Sequence, residues 1–302
     1  MLAASQIVVC GLPRPLFQTD SPPPVPELPE VETMRRGILP IVGGVVTAFH
    51  RLPCERRPIA IVPEPAVISR ALRGKQVTAI ERKGKRVIVR IGNDQRLVFE
   101  PRMTGLVLLD DPPSAAHCRA RLMLSGVADS QLVYWDRRGL GSIRLLNPTE
   151  FEAALGPPRL GPDALEVTAG QLAEKLTASR RAIKVALLDQ RVLAGVGNLY
   201  ASELLHRARV HPARPCCELT RMQWKRIHAA MVEVLLEAIR HEGSTLSDGT
   251  YRTAMNNPGN YQNEHRVYDC EGETCRTCGK QPIRRIVQAQ RCSFYCPSCQ
   301  GS

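Results

Sequence analysis

Four cysteines near the C-terminus carry the plainest chemistry in the chain: Cys275-x2-Cys278 and, after a 17-residue spacer (279–295), Cys296-x2-Cys299. Two such knuckles let four thiolates converge on one tetrahedral Zn2+. With every position filled by protein, the ion is structural and leaves no site for activating water. Redox pairs or two disulfides are the competing reading. The doubled knuckle argues against them, and no secretory pattern opens the chain, so a metal held in a reducing compartment is expected. Cys270 and Cys292 fall outside the knuckles. Arg276, Lys280, Arg284, Arg285 and Arg291 accompany the cysteines, with no acidic residue from 276 to 302. A small basic hairpin of this kind suits phosphate.

Two further segments suit the same anion. In Gly195-Val196-Gly197-Asn198-Leu199-Tyr200-Ala201-Ser202-Glu203 the glycines permit close backbone approach, and the amides that start the following helix can bind a phosphate. Arg82-Lys83-Gly84-Lys85-Arg86 is a basic turn, which standing alone reads as a solvated surface. The net charge is +12, and it is unchanged without residues 1–25 because Arg14 and Asp20 cancel. The charge favours a polyanionic partner over a solvated basic surface with no role, and no apolar run is long enough to cross a bilayer.

Pro26-Glu27-Leu28-Pro29-Glu30-Val31-Glu32, the glycine-Asn198 segment and Gln288-Ala289-Gln290-Arg291-Cys292-Ser293-Phe294-Tyr295-Cys296 together resemble the formamidopyrimidine-DNA glycosylase family of bifunctional glycosylases and abasic-site lyases. The resemblance runs from Pro26 to the C-terminus. It implies excision of oxidised purines by base-excision repair, with Pro26 as an N-terminal nucleophile, Glu27 as acid and base, and Lys85 and Arg291 on the phosphates. It also implies that Met103, Arg138 and Leu140 fill the void left by a flipped nucleotide. His117, Lys175, Lys184 and Asn198 are implied to approach DNA. Leu140 stands where phenylalanine is usual, and Glu100-Pro101 replaces a more usual histidine-containing approach. The spacer between the knuckles is one residue longer than is usual in bacterial members.

Proline chemistry sets a condition. A proline nitrogen inside a chain is a tertiary amide with a delocalised lone pair, whereas a terminal one is a nucleophilic secondary amine. Residues 1–25 are therefore expected to be a non-native leader from a misassigned start: Val25 is what a GTG start codon becomes when read within a frame, and methionine removal would then expose Pro26. If the leader stays attached, a non-catalytic, zinc-dependent DNA-binding protein is the better account. The nearer alternative is an endonuclease VIII-like enzyme for oxidised pyrimidines, disfavoured because Leu28 and Val31-Glu32 follow the purine-repair form. The resemblance further implies a monomer working on double-stranded DNA with oxidised bases or abasic sites, in the bacterial cytoplasm on the nucleoid.

The positioning elements are legible in outline. The chain has 302 residues, 43% hydrophobic and 23% charged, enough for two cores in an α+β protein. A helix over 30–39 precedes short apolar runs at 45–49, 77–80, 87–91, 97–99, 106–109, 122–124, 132–135 and 143–146. Their spacing predicts an antiparallel β-sandwich over 26–147. From Pro148 the signals are helical: a start at Pro148, a cap at Thr168-Ala169-Gly170-Gln171, and a periodic stretch from Met222 to Ile239 with Met222, Trp224, Ile227, Met231, Val234, Leu235 and Ala238 on one face. This predicts a helix-two-turns-helix domain over 148–263, its end (248–263) a mobile loop, and a four-cysteine zinc-finger hairpin over 264–302.

Overall fold

The computed structural model describes residues 26–109, 111–245 and 251–301; the expected leader lies outside them. Helix α1 (Leu28–Gly37) opens with Pro29 in its first turn, and the Glu27 N–H donates to Glu30 Oε2 at 2.9 Å. Arg35 and Arg36 in its last turn suit the negative end of the helix dipole. There follow β1 (Val45–Arg51), β2 (Ala60–Val62), α2 (Pro65–Leu72), β3 (Val77–Lys83), β4 (Arg86–Ile91), β5 (Gln95–Glu100), β6 (Gly105–Leu108), β7 (Cys118–Ser125), β8 (Gln131–Asp136) and β9 (Ser142–Leu146).

The strands form two sheets, in the orders β1-β7-β8-β6 and β2-β9-β5-β4-β3. Pairing is antiparallel except between β2 and β9. Alternation along β4 shows how the sequence makes two faces. Val87, Val89 and Ile91 enter the core between the sheets with Leu97, Phe99, Leu106 and Trp135. Ile88 points the other way and joins Val98, Phe151 and Leu155 beneath α3 (Pro148–Leu155). Helix α2 and the parallel β2 carry no clear sequence signal. Only Ile68 and Leu72 of α2 are buried, and so short a stripe just after Pro63 and Pro65 does not stand out from a loop.

The helices are α4 (Ala169–Leu176), α5 (Ile183–Leu187), α6 (Asn198–Arg207) and α7 (Arg221–Arg240). Capping boxes at Asn147/Glu150, Thr168/Gln171 and Thr220/Gln223 start α3, α4 and α7. Along α7, Trp224, Ile227, Met231, Val234, Leu235 and Ala238 are buried as their spacing predicts, but Met222 in the first turn is 64% exposed. The hairpin β10 (Arg284–Gln288) and β11 (Arg291–Tyr295) turns through Ala289 and Gln290, both at positive φ. Its buried residues Cys292 and Phe294 continue the helical core.

Two features tie the halves together. Leu28 of α1 belongs to the helical core, whereas Val31 and Met34 of the same helix belong to the sandwich. The stretch expected to be a mobile loop also crosses over. Residues 246–250 lie outside the described residues, but beyond them Tyr251 and Ala254 are buried in the sandwich core, and the Tyr251 hydroxyl donates to the Glu242 carbonyl at 3.0 Å. Among the described residues no helix is long and apolar enough to cross a membrane.

Candidate active site

Between the sandwich and the helical half lies a cleft of about 410 Å³, lined by Pro26, Glu27, Lys85, Met103, Asn198 and Arg291 together with Arg86, Glu100, Arg102, Gln190 and Tyr268. Each candidate arrives on a different element. Pro26 and Glu27 precede α1, Lys85 sits in the β3–β4 turn, Asn198 begins α6, and Arg291 begins β11. Elements from both halves of the fold and from the hairpin therefore converge on one nitrogen and one carboxylate.

Glu27 is buried, and its carboxylate is seated on the N-terminus of α6: Gly197 N–H donates to Oε2 at 2.6 Å and Leu199 N–H to Oε1 at 3.0 Å. A Cβ at Gly197 would fall on that carboxylate and within 2.5 Å of Lys85 Nζ, so only glycine admits the approach. The amides that the sequence assigned to a phosphate thus hold an internal carboxylate. Burial raises the Glu27 pKa to about 7; the Lys85 charge and the two amides oppose the rise, and Glu30 adds to it. Such a carboxyl group can hold or release a proton near neutral pH. Burial likewise depresses the Lys85 ammonium, against the attraction of Glu27 and Glu30.

The shell around these groups is rigid. Glu30 accepts from the Tyr200 hydroxyl at 2.5 Å and the Ser244 N–H at 2.9 Å. Arg82 reaches Asp163 through Nη1 at 2.5 Å and Nη2 at 3.0 Å, and Glu32 through Nε at 3.2 Å, clamping the turn that carries Lys85 to the loop before α4. Gly84 in that turn has φ +57, and its N–H also donates to Asp163. The Arg82-Lys83-Gly84-Lys85-Arg86 run is therefore an anchored site element and not a free basic turn.

The remaining candidates divide. Arg138 is exposed and Leu140 half-buried in the loop after β8, and the Arg138 N–H donates to Thr104 Oγ1 at 2.9 Å, which brings this loop against Met103. His117 ends a short 3-10 turn with its ring edge on Trp135, 5.5 Å between centroids. Lys175 is exposed in the last turn of α4 and lines a separate cavity of about 690 Å³ that shares no residue with the cleft. Lys184 is 1% exposed, and its Nζ donates to the Cys292 carbonyl at 2.8 Å, which fastens the hairpin to the helical core. Burial lowers its pKa to about 7.

Tyr268 and Gln190 line the cleft although no motif marks them. Gln190 braces the glycine turn by accepting from Gly195 N–H at 3.0 Å and donating to the Val196 carbonyl at 2.8 Å. Asn198, whose side chain hydrogen-bonds Tyr268, has its Oδ1 buried without a partner among the described residues. Tyr268 and Gln190, isolated in the sequence, carry no spacing signal.

The sulfurs of Cys275, Cys278, Cys296 and Cys299 all lie within 4.8 Å of one another. Two edges, Cys278–Cys296 at 3.7 Å and Cys275–Cys299 at 3.9 Å, match the edge of about 3.8 Å expected of a tetrahedron with metal–sulfur bonds of about 2.3 Å. The four thiols thus fit a single tetrahedral metal.

Two family models match the chain: the formamidopyrimidine-DNA glycosylase N-terminal domain over residues 25–143 and the formamidopyrimidine-DNA glycosylase H2TH domain over residues 160–250. Formamidopyrimidine-DNA glycosylase of Thermus thermophilus is 38% identical over 92% of this chain and 99% of its own length. That of Chloroflexus aurantiacus is 35% identical over 91% and 98%. Among solved structures, the MutM (Fpg) protein of Thermus thermophilus superposes with a TM-score of 0.79 at 36% identity, covering 92% of this chain and 99% of that one. Lactococcus lactis Fpg in complex with abasic-site DNA superposes at 0.80 and 32% identity, covering 91% and 100%. With the cleft, the amide-seated glutamate and the four-cysteine hairpin in one fold, these matches establish that the chain belongs to the formamidopyrimidine-DNA glycosylase family.

Proposed function

We propose that the protein removes oxidised purines from duplex DNA and cleaves the resulting abasic site by β- and δ-elimination, with Pro26 as nucleophile when it is the first residue. The observation that carries this reading is the position of Glu27 beside Pro26 at the floor of the cleft, with a carboxyl pKa near 7 and two helix amides holding it in place.

The terminal amine, neutral in useful proportion near pH 8, attacks C1′ of the flipped nucleotide. Glu27 delivers its proton to the departing base or the opened sugar. The iminium so formed acidifies the C2′–H, whose loss expels the 3′ phosphate; the conjugated iminium that results then loses its C4′ proton and expels the 5′ phosphate. Lys85 and Arg291 hold those phosphates, and Asn198 donates its side-chain NH2 to the same strand. Met103, Arg138 and Leu140 occupy the space the nucleotide vacates. His117 and Lys175 add contacts along the backbone.

The metal is one structural Zn2+ on Cys275, Cys278, Cys296 and Cys299; it supplies the fold of the hairpin that presents Arg291. Residues 26–147, 148–263 and 264–302 serve as the catalytic, helix-two-turns-helix and finger units of a monomer acting on nucleoid DNA in the bacterial cytoplasm. The N-terminal family model begins at residue 25, which supports a working chain that starts at Pro26. Duplexes carrying 8-oxoguanine, an abasic site or an oxidised pyrimidine test the reading by product analysis. Strand cleavage at 8-oxoguanine with phosphate left on both ends supports it, and preferential cleavage at the pyrimidine supports the endonuclease VIII-like alternative.

A further inference from the structure

The two segments proposed to fill the void come from separate parts of the sandwich. Met103 lies in the turn before β6, whereas Arg138 and Leu140 lie in the loop after β8. A void must be filled from both at once, so their relative position matters more than that of either alone. The buried group where they meet is Asp136, the last residue of β8 and 0% exposed.

Its carboxylate accepts three hydrogen bonds. Thr104 Oγ1–H donates to Oδ1 at 2.5 Å, Arg138 N–H to Oδ1 at 3.1 Å and Gly141 N–H to Oδ2 at 2.8 Å. One donor lies next to Met103 in sequence, and the other two lie on either side of Gly139 and Leu140. Thr104 Oγ1 in turn accepts from the Arg138 N–H at 2.9 Å, closing a small ring of Asp136, Thr104 and Arg138. The strands are in register at this point, Gly105 opposite Asp136. The neighbours leave no slack. A Cβ on Gly105 or Gly141 would strike the Tyr134 hydroxyl, and one on Gly139 would strike the Arg57 carbonyl. Buried Arg119 braces the start of the loop, its Nε donating to the Asp136 carbonyl at 2.8 Å.

Neither Asp136 nor any of the three residues that donate to its carboxylate lines the catalytic cleft. A carboxylate with both oxygens engaged by donors from the two segments acts on their geometry. We propose that Asp136 is a positioning residue that locks the Met103 turn and the Arg138–Leu140 loop into one rigid wedge, so that both advance into the duplex together. The inference rests on the reading of Met103, Arg138 and Leu140 as void fillers.

Asp136→Asn keeps the size and turns one acceptor into a donor, so at least one of the three bonds is lost. Thr104→Val removes the hydroxyl and breaks the ring from the other side. Expected for either variant, in a chain beginning at Pro26, is a fall of about tenfold or more in single-turnover excision of 8-oxoguanine from duplex DNA, about 1.4 kcal/mol, with lyase activity on single-stranded abasic DNA held within about twofold. The double variant should be no slower than the worse single one, because both cut the same coupling. 2-Aminopurine placed opposite the lesion should report a less completely filled stack. Equal losses on duplex and single-stranded substrates, or a double variant that is additively worse, would overturn the proposal and leave Asp136 as an ordinary support of the fold. Unimpaired duplex excision by Leu140→Gly in the Pro26-first chain would instead sink the void-filling reading on which it rests.

Discussion

Replacing Gly197 by alanine is the sharpest probe of the seat that holds Glu27. The backbone there is extended, φ −130 and ψ −162, so alanine meets no backbone penalty and the effect is one of space alone. The new Cβ would fall on the Glu27 carboxylate and 2.5 Å from Lys85 Nζ. Something must move by about an ångström, and overpacking of this kind costs about 1–3 kcal/mol. If Glu27 gives way, it also loses a charge-assisted bond from the Gly197 or Leu199 amide, worth about 1.5–3 kcal/mol. A misplacement of about 1 Å at a reacting group is enough to cost about a hundredfold in rate. We therefore expect single-turnover cleavage of abasic DNA by the Pro26-first protein to fall at least a hundredfold, with thermal stability lowered by about 1–3 kcal/mol. Gly170→Ala is the matched control: only Thr168 Oγ1 lies near its Cβ, at 3.9 Å, within α4. It should gain about 0.5–1 kcal/mol of stability and keep full activity. Unimpaired cleavage by a well-folded Gly197→Ala protein would refute the role given to the amide-seated carboxylate.

Other outcomes follow from the same geometry. The excision rate should climb with pH until about 7, where Glu27 begins to lose its proton, stay level while Pro26 gains neutral amine, and fall above about 8; a rate that continues to climb through pH 9 would remove Glu27 as the acid. Cys278→Ser or Cys296→Ser should release the metal and weaken DNA binding more than it unfolds the sandwich, read by metal analysis and circular dichroism. Arg291→Ala should retain the metal and reduce the slope of log binding constant against log salt by about 0.9, one phosphate contact. Leu140→Phe should match or exceed the unsubstituted protein on duplex 8-oxoguanine, and Leu140→Gly should slow duplex excision while sparing single-stranded abasic DNA.

What the sequence disclosed follows from how local each signal is. The strands of the sandwich show because each is a short apolar run, such as Val87 to Ile91, contained within a few positions. The metal site shows because its ligands come in two short knuckles. Thr168 and Gln171 announce α4 for the same reason. By contrast, α2 buries only Ile68 and Leu72, too few to stand out after the prolines at 63 and 65. The role of Lys184 is hidden because its partner, the Cys292 carbonyl, is 108 residues away, and a basic residue in a basic protein gives no hint of which way it faces. Gly197 and Asn198 are legible as an anion-binding turn, but the anion seated there is Glu27, 170 residues earlier, and no spacing rule joins them. Tyr268 and Gln190 reach the cleft only through the long-range path of the chain.

The claim on which the rest depends is that the nitrogen of Pro26 is the nucleophile. Borohydride added to the protein with abasic-site DNA reduces any Schiff base to a stable amine, and digestion followed by mass spectrometry locates the adduct. A chain beginning at Pro26 should trap DNA on its N-terminal residue, and the 302-residue chain, with that nitrogen tied up in a peptide bond, should trap none. Equal trapping by both chains, with the adduct on a lysine such as Lys85, would contradict the central claim.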